Sequence, residues 1–364
     1  WSSPIDFTPL SIKLSVTPSI NNGLYMGSLY IPDNRVLFIP LASKTLGIFN
    51  PTLNIFSSIP GFPGNNAYNG GILASDGSIV FVPANTSNIG IFMPSTNNYS
   101  IITPIIPQLG VISLLANQYR GGVLLPNKKI LFSPFNATNI GIFDISYINN
   151  YNFNYGFYTI TPIDPILPGN GGYNTCLLIP DGRVIFVPYN ANTIGIYDYT
   201  QPSINTNYGF TTIPIKNAGK YSGGVLLSDG RVLFIPSTNN IIGIYNPTNY
   251  VINNSSPGYT TVTLSTLSGE FAGGVLLPDG NVLFIPFGKT STTSIITIFN
   301  PITNSISTIS SKVNMVGYDY YGGSLIKDGR VICSPYLNNN IGILSGYNTS
   351  THQELCLHPM FNKL

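Results

Sequence analysis

The chain has 364 residues, of which 43% are hydrophobic and only 8% are charged, and its formal net charge is +2. Because this charged fraction is about a third of the usual value and the balance is nearly neutral, nucleic acid and anionic membranes are poor candidates for partners. The sequence has no run of about 18 apolar residues, which argues against membrane insertion. A surface of amides and hydroxyls favours an extracellular, glycosylated or assembly-bound protein over a cytosolic enzyme.

Glycine (37) and proline (29) interrupt the chain every few residues, which is typical of many short strands joined by tight turns. The segment 221–236 reads YSGGVLLSDGRVLFIP, and near copies of it occur seven times. Periods near fifty residues indicate a repeat architecture. The proline that ends each copy serves as a marker, and the spacings between markers are 43 to 54 residues. The markers are Pro40, Pro83, Pro134, Pro188, Pro236, Pro286 and Pro335.

Each copy predicts a hairpin of two strands. In the fifth copy, residues 224–227 form the first strand, Asp229 and Gly230 the turn, and residues 231–235 the second strand. An Asp-Gly pair suits a two-residue type I′ turn, which needs positive φ at both positions. The pair recurs as Asp76-Gly77, Asp181-Gly182, Asp279-Gly280 and Asp328-Gly329, with Asp33-Asn34 and Asn127-Lys128 as variants.

Two further strands complete each copy. After Pro236, residues 241–245 predict a third strand, an Asn-Pro turn follows, and residues 259–264 predict an outermost strand with alternating polarity. Four antiparallel strands repeated seven times predict an all-β, seven-bladed β-propeller. We expect a single propeller domain over residues 1–346 and a C-terminal tail over residues 347–364.

The order of the strands also predicts how the ring closes. Residues 7–10 read like a fourth strand ahead of the first copy, whereas the seventh copy ends after its third strand, at residues 341–344. We therefore expect the N-terminal strand to complete the seventh blade. A competing interpretation places residues 354–360 there.

The repeated sequence pattern resembles the kelch and galactose-oxidase-like propeller repeats. The matching residues are LLSDGRVL at 226–233 with Ile244-Tyr245-Asn246-Pro247, and the same pattern recurs in other copies. Two features depart from the family: its glycine pair after the second strand is replaced by Ile-Pro or Val-Pro, and its Trp after the Asn-Pro turn is missing. The Ile-, Asn- and Tyr-rich style is also similar to uncharacterised propellers of large DNA viruses and marine microbes, which are suspected exterior proteins.

The resemblance implies a copper site only where two histidines, two tyrosines and a crosslinked cysteine are present. The chain has two histidines, His352 and His358, and both lie in the predicted tail, so this site is not carried over. With Cys356 they could hold a small metal site, but no fourth ligand beyond Cys333 or Glu354 suggests itself, and a surface tail is the plainer interpretation. We therefore expect no metal, no cofactor and no catalytic residue.

Cysteines and carboxylates also favour structural roles. Of Cys176, Cys333 and Cys356, at most one pair can form a disulfide, and the candidate is Cys333 with Cys356, which would tie the tail to the last blade. Free buried thiols are the alternative. Most aspartates of the repeats lie in Asp-Gly turns, where turn chemistry explains them.

An aromatic residue precedes the glycine pair in every copy. These residues are Tyr25, Tyr68, Tyr119, Tyr173, Tyr221, Phe271 and Tyr320. Repetition in every blade favours packing between blades, with an exposed rim as the alternative. The residues that follow them differ between blades, as an asymmetric ligand site requires; they are Met26, Asn69, Arg120, Asn174, Ser222, Ala272 and Tyr321. The candidate ligand site, for a sugar or a peptide carboxylate, combines Asn69, Arg120 and Asn174 with Tyr68, Tyr119 and Tyr173.

Two further sets of residues recur. The arginines that open the second strand are expected to bond turn carbonyls or the neighbouring Asp rather than form a nucleic-acid surface; they are Arg35, Arg183, Arg231 and Arg330. Glycosylation triplets permit glycans at Asn85, Asn98, Asn136, Asn253, Asn254 and Asn348.

The sequence as a whole predicts a non-enzymatic, extracellular or virion-surface propeller that acts as a structural or recognition module. The expected partners are other protein subunits of an assembly or surface glycans. A lectin-like secreted protein is the alternative, and a galactose-oxidase-like enzyme without its copper site is a weaker one.

Overall fold

The computed structural model describes residues 13–16, 20, 23–106, 110–111, 117–149, 156–163, 167–201, 208–215, 220–237, 239–249, 258–264, 270–288, 294–311 and 318–346. They form seven four-stranded antiparallel blades arranged in a ring, which confirms the predicted all-β, seven-bladed propeller. The described residues also include one two-stranded hairpin and two short 3-10 helices, at Ile145–Asn149 and Pro247–Asn249.

The strands follow one another from the innermost to the outermost position of each blade. Strand β1 (Lys13–Val16) precedes the first blade. Blade 1 contains β2 (Tyr25–Tyr30), β3 (Val36–Pro40), β4 (Thr45–Asn50) and β5 (Ile55–Pro60). Blade 2 contains β6 (Tyr68–Leu73), β7 (Ile79–Pro83), β8 (Ile89–Met93) and β9 (Asn98–Ile102), and the small hairpin β10 (Ile105–Ile106) and β11 (Gly110–Val111) follows it. Blade 3 contains β12 (Tyr119–Leu124), β13 (Lys129–Pro134), β14 (Ile140–Asp144) and β15 (Phe157–Ile160).

The second half of the ring repeats this order. Blade 4 contains β16 (Tyr173–Leu178), β17 (Val184–Pro188), β18 (Thr193–Tyr197) and β19 (Phe210–Pro214). Blade 5 contains β20 (Tyr221–Leu226), β21 (Val232–Pro236), β22 (Ile241–Tyr245) and β23 (Tyr259–Thr263). Blade 6 contains β24 (Phe271–Leu276), β25 (Val282–Pro286), β26 (Ser294–Asn300) and β27 (Ser305–Ser311). Blade 7 contains β28 (Tyr320–Leu325), β29 (Val331–Pro335) and β30 (Gly342–Ser345), and β1 supplies its fourth strand.

The ring closes through the N-terminal segment, as predicted, but through a different stretch of it. Strand β1 pairs antiparallel with β30, with Leu14 opposite Leu344. The predicted residues 7–10 lie outside the described residues, and the place beside β30 belongs to Lys13–Val16 instead. The alternating Lys-Leu-Ser-Val of β1 suits an outer strand with one solvated face. Because β30 pairs with β29 on one edge and β1 on the other, residues 354–360 do not hold this place.

The Asp-Gly hairpin has a three-residue loop rather than the predicted two-residue type I′ turn. Gly230 N donates to Leu227 O at 3.0 Å, and Leu227 N donates to Arg231 O at 2.8 Å. Of the turn residues only Gly230 has positive φ, at 85°. This geometry is a type I turn followed by a glycine bulge. The Asp229 carboxylate accepts a hydrogen bond from Arg231 N at 3.1 Å, which fixes the turn without requiring positive φ at Asp229 itself.

Replacing Gly230 with Val is expected to lower the free energy of unfolding by about 1–3 kcal/mol, because a β-branched residue is strained at positive φ. A Cβ at Gly230 would meet no atom within 4 Å, so the expected loss of stability comes from backbone strain alone. Gly230→Asn is the matched control, since Asn34 occupies the equivalent position of blade 1 with φ 69°. Thermal unfolding of both variants checks this, and an unchanged melting temperature for Gly230→Val would contradict the turn assignment.

The repeated aromatic residues lie in the cores between blades. Among the described residues, seven hydrophobic clusters occur, one at each junction of neighbouring blades, and each contains the aromatic residue of one blade packed against the strands of the preceding blade. Tyr221, for example, is fully buried with Leu177 and Val187 of blade 4. Its ring centroid is 5.4 Å from that of Phe234. The structure confirms that this aromatic residue packs between blades, as predicted.

In blades 2 to 5 and 7, a glycine on the third strand makes room for the tyrosine. A Cβ at Gly243 would approach the Tyr221 hydroxyl to 2.8 Å and Phe234 to 2.9 Å. Blade 6 differs at both positions, with Phe271 in place of tyrosine and the buried Thr297 in place of glycine. The threonine therefore occupies the space that a tyrosine hydroxyl takes in other blades.

Phe271→Tyr is expected to destabilise the protein by about 1–3 kcal/mol, because the added hydroxyl overpacks the site beside Thr297. In a Thr297→Gly background the same substitution is expected to cost close to nothing. Chemical denaturation of the four proteins of this double-mutant cycle measures the coupling. If the cost of Phe271→Tyr is equal in both backgrounds, the two side chains do not share one space.

The four recurring arginines bind the turns, as predicted, and also bridge neighbouring blades. Arg330 Nη2 donates to Asp328 Oδ2 at 2.6 Å within its own turn and to Pro51 O at 2.9 Å in blade 1. Arg35, Arg183 and Arg231 make the equivalent bonds to the prolines Pro94, Pro247 and Pro301 of the next blade. The DGR and Asn-Pro signatures are thus two halves of one contact between blades.

Candidate functional site

The variable residues that follow the repeated aromatics meet at the ring axis. They surround a cavity of about 40 Å³ at the end of the ring where the innermost strands begin, called here the axial mouth. Six of the seven line it: Met26, Asn69, Asn174, Ser222, Ala272 and Tyr321. A cavity of this size holds a few water molecules but is far below the several hundred Å³ of a typical small-molecule pocket.

Glycines of neighbouring blades close the cavity around the axis. A Cβ at Gly70, whose φ is 102°, would lie 3.2 Å from the Gly121 Cα, and a Cβ at Gly322 would lie 3.2 Å from the Gly27 Cα. In all seven blades the pairing register shifts at this point of the inner strand, as a β-bulge requires. Glycine is present here because the backbones of adjacent blades approach too closely for side chains.

A polar network crosses four blades at the axial mouth. Arg120 Nη1 of blade 3 donates to Asn174 Oδ1 of blade 4 at 3.2 Å. Asn174 Nδ2 in turn donates to Ser222 O of blade 5 at 2.5 Å. Ser222 Oγ accepts a hydrogen bond from Gly273 N of blade 6 at 3.2 Å. This chain holds the amide of Asn174 in one orientation toward the axis.

Tyr321 of blade 7 reaches this network from the opposite side of the ring. Burial raises the pKa of its hydroxyl, while the charge of Arg120 and a hydrogen bond with Asn174 act in the opposite direction. The Tyr321 ring also packs against Phe287 and Tyr336, with centroid distances of 5.4 and 6.1 Å. Tyr321 therefore spans the axis and covers the cavity.

Two groups of aromatic rings flank the mouth. In blades 3 and 4, the Arg120 guanidinium lies 3.6 Å above the Phe135 ring, and Phe135 contacts Tyr189 with centroids 5.7 Å apart. On the other side, Phe287 contacts Tyr318, Tyr321 and Tyr336 with centroid distances of 4.8 to 5.8 Å. All of these rings except the buried Phe135 are partly exposed. The mouth therefore presents partly exposed aromatic surface beside fixed amides.

The structure brings together only part of the predicted ligand site. Arg120 and Asn174 are hydrogen-bonded, and Asn69 lines the same cavity. The three tyrosines of the predicted site, Tyr68, Tyr119 and Tyr173, are buried in the cores between blades and do not line the cavity. Their hydroxyls bond Tyr99, Asn139 and Thr193 of their own blades.

The sequence interpretation did not single out the aromatic residues that follow the marker prolines. Phe135, Tyr189, Phe287 and Tyr336 all occupy this position. Its signal is available in the sequence, since four of the seven residues after the markers are aromatic and lie on the same end of the ring as the variable residues. Aromatic residues there could have been grouped with Arg120 and Tyr321 before the structure was known.

Turn geometry accounts for many of the carboxylates. Asp33, Asp181, Asp229 and Asp328 pair with the arginines of their own turns, at distances of 2.6 to 2.7 Å. Hydroxyls two residues away bond Asp76, Asp144 and Asp198 at 2.6 Å. Among the described residues, no three His, Cys, Asp or Glu side chains are grouped so that they could hold a metal ion. His352, Cys356 and His358 lie outside the described residues.

The Cys333 thiol is free and completely buried in the core between blades 6 and 7. Burial raises its pKa to about 12, so it is protonated and unreactive near neutral pH. A bridge to Cys356, which lies outside the described residues, would have to bring the tail into this core. Cys176 is buried as well.

Three of the predicted glycosylation positions fall on described residues. Asn98 is exposed at the start of β9. Asn85 and Asn136 are half-buried, and their side-chain oxygens accept hydrogen bonds from Asn117 N and Gly171 N. Asn253, Asn254 and Asn348 lie outside the described residues. Of the three described positions, Asn98 is the most accessible to a glycan. No helix among the described residues is long and apolar enough to cross a membrane.

No family model and no curated protein sequence matches this chain. Several solved structures are similar in fold. A streptogramin B lyase is 18% identical with a TM-score of 0.70, covering 92% of this chain and 97% of its own. A virginiamycin B lyase from Staphylococcus aureus is 17% identical with a TM-score of 0.69, covering 92% of this chain and 99% of its own.

Two other similar structures come from different functional classes. A fungal alcohol oxidase of the AA5 family, in complex with copper, is 12% identical with a TM-score of 0.61, covering 93% of this chain and 78% of its own. An extracellular domain from a two-component system of B. thetaiotaomicron is 11% identical with a TM-score of 0.69, covering 93% of this chain and 43% of its own. At these identities the similarity shows the β-propeller fold alone, which is also what the kelch and galactose-oxidase-like resemblance implied.

Proposed function

We propose that this chain is a non-enzymatic recognition module that works outside the cell or on the surface of a virus particle. One observation carries the proposal: the positions that differ from blade to blade converge on the axial mouth. There Arg120, Asn174 and Tyr321, from three separate blades, form a single asymmetric group. Positions that recur in every blade, by contrast, pack the cores between blades. Such a division is expected of a rigid scaffold that presents one binding surface.

The distribution of ionisable groups supports a role without catalysis. General acid or base catalysis needs a carboxylate or imidazole positioned at a binding site. The described aspartates of the turns lie at the far end of the inner strands from the axial mouth and are hydrogen-bonded within their turns. Asp319 lies at the end of the axial mouth, but it is buried, and its carboxylate accepts a hydrogen bond from Asn338 Nδ2 at 3.1 Å. The lyase likeness does not weigh against this, since it extends only to the fold.

The nearly uncharged, amide-rich composition supports a location outside the cell or in an assembly. The similar structures include an extracellular domain, which is consistent with that location. A protein subunit or a surface glycan is the proposed partner, and the exposed Asn98 would carry a glycan if the chain is secreted by a glycosylating host.

Native mass spectrometry of material from the source, intact and after mild dissociation, tests the proposal. We expect a bound protein or glycan in stoichiometric amount. Rebinding should be retained by Arg231→Ala, which changes the opposite end of the ring, and lost from the double variant Asn174→Ala/Tyr321→Ala. A partner that the double variant still binds, or a bound compound that the protein converts chemically, would contradict the proposal.

A further inference from the structure

The charge of Arg120 is not balanced by a carboxylate. The other four arginines of the chain pair with an Asp in their own turns. Among the described residues, Arg120 forms no ion pair, and its hydrogen bond goes to the neutral Asn174. Its Nε is buried without a hydrogen-bond partner. The buried Nε cannot reach a ligand, but Nη2 is not among the buried atoms and makes no hydrogen bond to a described residue, so Nη2 is the atom of this guanidinium that can receive an acceptor from outside the chain.

A second cation lies on the same side of the axial mouth. Lys220 Nζ lies 5.3 Å from the Tyr189 ring centroid, and Tyr189 contacts Phe135, on which Arg120 stacks. A cation, two aromatic rings and a second cation therefore form one continuous row across blades 3 to 5, in the order Arg120, Phe135, Tyr189 and Lys220. Lys220 also has no ion pair among the described residues. Two unbalanced cations on one rim attract anions.

At the opposite end of the ring, the charges of the arginines are balanced. There the arginines are matched by the aspartates of the Asp-Gly turns, so their charges cancel locally. The axial mouth offers an anion Arg120 and Lys220, beside the carboxylates of Glu270 and Asp319 on blades 6 and 7, whereas the turn end offers no described arginine without its own aspartate.

The geometry points to an acidic saccharide as the ligand of the axial mouth, with its carboxylate or sulfate on Arg120 and its ring face on the aromatic surface. This inference rests on the proposed function and names its ligand class. The partly exposed rings of Tyr189, Tyr321 and Tyr336 offer faces to the C–H groups of a pyranose. The exposed side chain of Asn190 offers a partner for sugar hydroxyls.

A peptide C-terminus shares the carboxylate but fits the mouth less well. Capture of a peptide end normally needs a pocket for its last side chain, and the cavity under Tyr321 has only about 40 Å³. The Arg120 side chain stacks on Phe135 and does not line this cavity. A ligand that lies flat across the mouth suits this shape better than one that inserts.

Titration calorimetry of the full chain with small probes tests the inference. The probes are methyl glucuronide, galactose 6-sulfate, methyl glucoside and sodium acetate. We expect at least one acidic sugar to bind at least ten-fold more tightly than methyl glucoside and than acetate. The carboxylate and sulfate sugars together show which anion the site prefers.

Two variants and one matched control locate the site. Arg120→Gln is expected to remove the preference for the acidic sugar, whereas Arg231→Gln, a matched loss of one arginine at the turn end, should leave binding unchanged. Lys220→Gln is expected to weaken binding three-fold or more, which keeps the test decisive if Arg120→Gln fails to fold.

The inference is overturned if neither acidic sugar binds, if methyl glucoside binds equally well, or if Arg120→Gln folds and binds normally. It is also overturned if a short peptide with a free C-terminus binds more tightly than both sugars and its amide does not. A partner that is lost from Asn174→Ala/Tyr321→Ala, without binding of any acidic sugar, would leave the proposed function standing and remove this inference alone.

Discussion

A chain that lacks residues 1–17 is expected to lose about 3 kcal/mol of unfolding free energy and to aggregate on heating. The deletion removes β1, so β30 loses its outer partner, and the side chains of Ile343 and Leu344 next to the new edge lose cover. Full burial of an aliphatic side chain contributes roughly 1.5–3 kcal/mol, and the ordering entropy of β1 offsets part of the sum. An uncovered edge strand also invites pairing with other molecules.

Deletion of residues 1–11 is the matched control, because it keeps β1. Differential scanning calorimetry and light scattering of the two truncated chains make the comparison. If both deletions melt like the full chain, the pairing of β1 with β30 does not close the ring in solution. If both are equally destabilised, the contribution comes from residues ahead of β1 instead.

The repeated part of this structure was predictable because repetition averages out local ambiguity. Any single copy, such as 221–236, is a short apolar run that could be misread, but seven copies fix the strands and the blade number. The turn type was missed because Asp-Gly suits two different hairpin turns. The observed loop is defined by the backbone hydrogen bond from Leu227 N to Arg231 O, and no residue type in the turn predicts that bond.

The axial mouth was predictable only in part, because its residues differ from blade to blade and repetition gives no help there. The variation after each aromatic pointed to the correct ring of residues, including Arg120 and Asn174. The sequence could not show that Tyr321 reaches across the axis to Asn174, since that contact depends on the distance between blades on opposite sides of the ring. It also could not show that the rings of Tyr68, Tyr119 and Tyr173 turn into the cores rather than toward the ligand.

Alkaline pH is expected to unfold the protein cooperatively between about pH 11 and 12. Burial raises the pKa of Tyr173 to about 12 and raises the pKa values of Tyr68, Tyr119, Tyr221 and Tyr320 as well. A tyrosine whose folded pKa lies above its unfolded value of about 10 contributes stability below pH 10 that is lost as the pH rises toward the folded value. At about 1.4 kcal/mol per pKa unit, Tyr173 alone loses about 2 kcal/mol by pH 12, and five such residues together lose about 10 kcal/mol, which is comparable to the usual stability of a domain.

Tyr320→Phe separates ionisation from packing in this transition. The Tyr320 hydroxyl is buried without a hydrogen-bond partner, so its removal breaks no bond, and blade 6 already has Phe271 at the same position. We expect this variant to be as stable as the wild type or more stable at pH 7, and to unfold at a higher pH. Absorbance at 295 nm follows tyrosine ionisation while circular dichroism follows unfolding, and the two should change together. Ionisation of most tyrosines near pH 10 with an unchanged dichroism signal would mean that the rings between the blades are open to water.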